Sequence, residues 1–128
     1  MSAGKLNITI EQGAKFDKTF TYETAAGVAI DLTGRTGRMD IRDVKGGTML
    51  FELRETPAPG QGTITTGGVL GTVRLEIGAD LTAAITTWTT GFYDLELELT
   101  STPTDVIRLI EGKVKANIIT GHHPFNKF

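Results

Sequence analysis

The sequence predicts an all-β protein, an immunoglobulin-like antiparallel β-sandwich with one short helix near residues 79–86. The first observation behind this is compositional: 16 glycines and 21 threonines, against two serines, in 128 residues. Threonine is β-branched and favours the pleated backbone, while glycine supplies the positive φ of tight turns. The second is periodicity, since apolar residues alternate with polar ones from Leu6 to Ile77 and again from Gly91 to Ile118. The third is punctuation: turn-forming residues divide the chain into some seven to nine strands at roughly 8 to 12-residue spacing. A small barrel is the alternative architecture.

Taken in order, Leu6, Ile8 and Ile10 alternate with Asn7 and Thr9 and form the first expected strand. After Glu11–Ala14 the pattern resumes with Phe16, Phe20 and Tyr22 on one face; Lys18 shares that face, which fits an edge position or a snorkelling side chain. Ala25-Ala26-Gly27 reads as a hairpin turn and Val28–Leu32 as a short returning strand. Met39 and Ile41 lie on a half-buried strand, which Lys45-Gly46-Gly47 turns into the strand of Met49, Phe51 and Leu53. Pro57, Pro59, Gly60 and Gly62 mark an exposed loop. Thr63–Thr65 is a short strand, and Val73, Leu75 and Ile77 form the inner face of the next.

The period changes at Ala79–Ile85, where Asp80 can cap and Leu81 and Ile85 share a helical face. Beyond Trp88, Tyr93, Leu95, Leu97 and Leu99 carry the cleanest alternation and predict a central strand. Val106–Glu111 should pair back on it, and Gly112 invites a bulge before Val114, Ala116 and Ile118. The expected core therefore includes Phe16, Phe20, Tyr22, Met39, Ile41, Phe51, Leu75, Trp88, Tyr93, Leu95 and Leu97. Residues 1–120 read as one β-sandwich domain and 121–128 as a C-terminal tail.

Composition limits the chemistry. Zero cysteines remove disulfides, thiolate metal sites and thiol nucleophiles. Thirteen basic against fifteen acidic side chains, a formal charge of -2, do not suit a nucleic-acid binder. No apolar run approaches the roughly 18 to 20 residues a membrane helix needs, and the first residues lack the apolar core of a secretory signal. No partner nucleic acid, no membrane and no cofactor are expected, and synthesis is expected in a cytoplasm.

Asp94, Glu96 and Glu98 line one strand face about 7 Å apart and could in principle hold calcium. The preferred reading is a solvated charge ladder against Arg108, Lys113 and Lys115. His122 and His123 are the only histidines, and adjacent histidines on a tail lack the orienting partners of a metal or catalytic site. No catalytic triad, nucleophile elbow, zinc motif or phosphate loop is present, so no enzymatic activity is expected. Asn7-Ile8-Thr9 matches a glycosylation triplet but lies within an expected strand. Trp88 and Tyr93 read either as a ligand-stacking pair or as core, with the Tyr93 hydroxyl bonded to backbone; the core reading is preferred. In the tail, Pro124, Phe125 and Phe128 are candidate partner-docking residues, with fraying as the alternative.

The order Ile8-x-Ile10-Glu11-Gln12-Gly13-Ala14-x-Phe16, Phe20-Thr21-Tyr22, Ala26-Gly27, Ile30-Asp31-Leu32-Thr33-Gly34, Arg38-Met39-x-Ile41-Arg42 and Gly91-x-Tyr93-Asp94-Leu95-x-Leu97 resembles small virion structural proteins of tailed bacteriophages. It is similar to the N-terminal sandwich domain of siphophage upper baseplate proteins, over about residues 6–119. The resemblance implies a non-enzymatic adaptor in the virion, made in the bacterial host cytoplasm and present in several copies of a symmetric assembly. Its implied partners are other tail, baseplate or neck proteins. Capsid decoration is the alternative, and a carbohydrate or host-surface binding module the second. In baseplate proteins a receptor-binding or stalk region follows this domain; here the sequence ends at Phe128, which leaves a free-standing tail, neck or capsid component among the expectations.

Overall fold

Alternation of side chains about the strand axis means that every apolar residue on one face must be covered, and a twisting sheet of many strands can cover its own face by curling. This is what the computed structural model, which describes residues 4–118, contains. Its strands are β1 (Gly4–Lys5), β2 (Ile8–Glu11), β3 (Phe16–Thr21), β4 (Arg35–Arg42), β5 (Met49–Arg54), β6 (Gly62–Thr66), β7 (Thr72–Ile77), β8 (Thr90–Leu99) and β9 (Thr102–Asn117). Helix α1 spans Ala79–Ala83, and a 3-10 turn spans Gly68–Leu70. The protein is all-β with one short helix, as the sequence predicts. All nine strands belong to one sheet in the order β1-β9-β8-β4-β5-β6-β7-β3, with β2 also on β9. The sheet curls into a half-barrel, which gives a sandwich-like enclosure around one core.

The long antiparallel pairings, β4 with β8 and β8 with β9, bring Met39, Ile41, Tyr93, Leu95 and Leu97 onto the inner face. There they meet Ile64, Val73, Leu75 and Ile77 from β6 and β7, Leu53 from β5, and Phe20 from β3. Phe16, Tyr22, Phe51 and Trp88 are half-buried and pack against this cluster.

Several local expectations are corrected. The ladder is mixed: β1 and β2 lie parallel to β9, and β5 overlaps β6 in parallel over two residue pairs. The first expected strand splits at Leu6-Asn7, and Leu6 is exposed. The carbonyl oxygen of Leu6 passes so close to Gly112 that no Cβ fits there, so this glycine permits the close approach of the neighbouring Leu6-Asn7 segment and not a bulge. The register of β8 on β9 slips instead beside Leu95/Glu96 and Glu98/Leu99. Val28–Leu32 forms no strand; a single bridge, Glu23 to Ala29, closes that hairpin, and Leu32 is buried.

Asp80 does not cap α1. The N-cap is Gly78, with no side-chain bond, and the helix is held by Thr82, a buried polar side chain in a core otherwise apolar. Its hydroxyl accepts from the Gly13 N–H at 3.0 Å and places its proton between the carbonyl oxygens of Ala14 (2.9 Å) and Ala79 (3.1 Å). The Gln12 amide adds bonds to the carbonyls of Ala83 and Ile85. Together they tie the β2–β3 arch to the helix and close one end of the half-barrel.

Candidate interaction surfaces

Pro124, Phe125 and Phe128 lie outside the described residues, as do His122 and His123. The surfaces that can be built from geometry are a charged sheet face, a set of apolar turn tips and an open sheet edge.

The charged face is the outer side of β5, β4, β8 and β9. Cross-strand register places Arg38 opposite Glu96 and Glu96 opposite Arg108. Arg38 Nη2 donates to Glu96 Oε1 at 2.6 Å, and Arg108 Nη2 lies 3.4 Å from Oε2. Burial raises the Glu96 pKa, but the two guanidiniums outweigh it and hold the carboxyl below its usual range. Lys113 and Lys115 pair instead with Phe92 and Thr90, so of the three expected cations only Arg108 joins the ladder. Glu111 sits between Lys5 (2.7 Å) and Lys45 (3.4 Å), and these ammonium groups lower its pKa.

Asp94 is different. The register sets it between Asp40 on β4 and Glu111 on β9. Burial first, and then the Glu96 carboxylate, push its pKa up, with Asp40 adding to the effect. Asp40 itself takes the nearby cations: Oδ1 is 2.9 Å from Arg54 Nη2 and Oδ2 is 3.5 Å from Arg42 Nη2. The Arg54 contact is an ion pair whose angles fall short of a directed hydrogen bond, leaving Oδ1 without one. The face is thus an ion-pair lattice, and among the described residues no group of three or more His, Cys, Asp or Glu is disposed to hold a metal.

Tyr93 is 3% exposed and its hydroxyl donates to the Leu6 carbonyl at 2.7 Å. Burial pushes its pKa up to about 12. With Trp88 half-buried against the core, the pair is not an exposed stacking platform.

Apolar side chains stand out at turn tips that sequence reading passed over. Val69 and Leu70, on the 3-10 turn between β6 and β7, are 68% and 66% exposed, and Val28 is 62% exposed. The signal was present in Gly67-Gly68-Val69-Leu70-Gly71, an apolar pair between glycines. Gly71, at φ +69°, has no room for a Cβ because the Tyr22 and Ile30 carbonyls approach to 2.8 Å of that position. The same contacts, with Leu32 N–H to Gly68 O at 2.8 Å, lash the Val28 hairpin beside the Val69–Leu70 turn.

The third surface is the seam of the half-barrel. The sheet path ends at β3, so no strand among the described residues pairs with its outer edge. Gly4, Leu109 and Ile110 on one side and Phe20, Thr21 and Tyr22 on the other line a cleft of about 340 Å³ there. Lys18 lies on the core-facing side of β3 yet is exposed, and its ammonium sits 5.7 Å from the Phe20 ring centre. A charge at this point is how an edge strand keeps clear of unwanted pairing. No helix among the described residues is long and apolar enough to cross a membrane. No protein-family model matches the chain, and no curated protein matches it.

Proposed function

We propose that the protein is a structural, non-enzymatic adaptor of a tailed-bacteriophage virion that docks on other tail, baseplate or neck proteins. The observation that carries this reading is the ordered set of strand and turn motifs from Ile8 to Leu97 that resembles such proteins. Supporting it, Val28, Val69 and Leu70 expose apolar area on neighbouring turns, and apolar groups clustered on a turn tip are suited to burial against a partner. The rigid half-barrel beneath those turns would hold them in place without an ordering cost on docking.

The test is quantitative mass spectrometry of purified particles. A count of about three to a few dozen copies per particle, the range of axial tail symmetry, supports the adaptor. Hundreds of copies would make it a capsid-decoration protein instead, and absence from particles would overturn the virion assignment.

A further inference from the structure

We infer that β3 is a self-complementary edge through which two copies of this chain pair antiparallel about a two-fold axis at Thr19. The Tyr22 N–H donates to Gly71 O, in line with the β3–β7 register. Hydrogen-bonded and non-bonded positions alternate along an antiparallel pair. Phe16, Lys18 and Phe20 therefore turn their backbone groups toward β7, and Asp17, Thr19 and Thr21 turn theirs toward the open edge. The side chains of Asp17, Lys18, Thr19 and Thr21 are all exposed, while Phe20 is buried and faces the seam cleft with Leu109 and Ile110 on its far side.

Only one register makes full use of this edge. With Thr19 opposite its own copy, Asp17 meets Thr21 and every outward N–H and C=O of the three residues finds a partner, giving about six backbone bonds. On the outer face Lys15 then lies opposite Glu23, an attractive pair. On the inner face Phe16 lies opposite Tyr22 and Lys18 opposite Phe20, repeating between copies the ammonium–ring contact present within one. Shifting by two residues one way sets Lys18 against Lys18; the other way sets Asp17 against Glu23. Each places like charges directly opposite, which is destabilising. Lys18 thus blocks one wrong register while accepting the right one, and Asp17 with Glu23 blocks the other.

This deepens the adaptor reading, which expects several copies, but it rests on the edge alone. It is tested on the purified full chain, so it can fail while the virion assignment stands, and the reverse. Sedimentation equilibrium up to roughly 100 µM should show a concentration-dependent dimer. Thr19→Pro removes an N–H that faces away from β7 and should weaken the dimer at least tenfold, with circular dichroism reporting that the fold is kept. Thr19→Cys places the only two thiols of the dimer across the axis, about 5.5 Å apart at Cα, within disulfide range. It should oxidise to a covalent dimer much faster than Ser101→Cys on an exposed turn. A wild-type monomer throughout, a dimer indifferent to Thr19→Pro, or equal oxidation of the two cysteine variants would each overturn the proposal; if Thr19→Pro fails to fold, the cysteine pair decides.

Discussion

Replacing Thr82 by valine tests whether one buried hydroxyl holds the end of the half-barrel. Valine matches threonine in shape, so no cavity forms and only the hydroxyl is lost. That hydroxyl serves the Gly13 N–H and the Ala14 and Ala79 carbonyls, and Thr82 is fully buried. Removing it takes away the side-chain partner of the Gly13 N–H and the bond that the hydroxyl donates to the Ala14 and Ala79 carbonyls. The hydroxyl accepts one bond and donates one, each worth about 1 kcal/mol, so Thr82→Val should destabilise by about 2 kcal/mol. For a domain of this size that lowers Tm by roughly 10 °C. Chemical denaturation with a matched thermal melt measures it. Thr82→Ser, which keeps the hydroxyl and loses only a methyl, should cost about 1 kcal/mol. A Thr82→Val protein as stable as Thr82→Ser would refute the reasoning, because the hydroxyl would then contribute nothing the methyl does not.

Gly71→Ala forces a side chain into left-handed backbone between the Tyr22 and Ile30 carbonyls and should cost about 2–4 kcal/mol by denaturant titration. Asp94→Asn should stabilise the protein by about 0.5–1 kcal/mol at pH 7, because a carboxylate opposite other carboxylates is removed. The folded-state pKa of Asp94 is raised, so the native sheet tolerates the neutral acid and is penalised as pH rises through that pKa. The gain of Asp94→Asn should therefore vanish as pH falls below 3.8, read from melts of both proteins across pH. Tyr93 should ionise only near pH 12 in an absorbance titration, and Tyr93→Phe should remove that step. Stability from the neutral phenol is intact below pH 10.0 and declines as pH rises toward 12.

The sequence by itself determined the class and most of the core. Period-2 alternation is a local property, so Met39, Ile41, Leu75, Tyr93, Leu95 and Leu97 could be placed inside before any strand was paired, and all are buried. Lys18 on an apolar face left an edge position or a snorkelling side chain open, and the sheet path ends at its strand. The break in period at residue 79 located α1, though not what holds it, because the Gly13 donor reaches Thr82 across a long sequence separation that no local pattern encodes.

The tertiary structure decided strand order, and with it everything that depends on neighbours. Alternation states which face is buried and leaves open which strand lies alongside, so the parallel placement of β1 and β2 on β9 was not legible. Register then chose the charge partners. Glu96 found Arg38 and Arg108, whereas Asp94, two residues away on the same face, found Asp40 and Glu111. Among the described residues the same strand order left β3 with one unpaired side, because the sheet curls far enough to enclose a core but its path ends there.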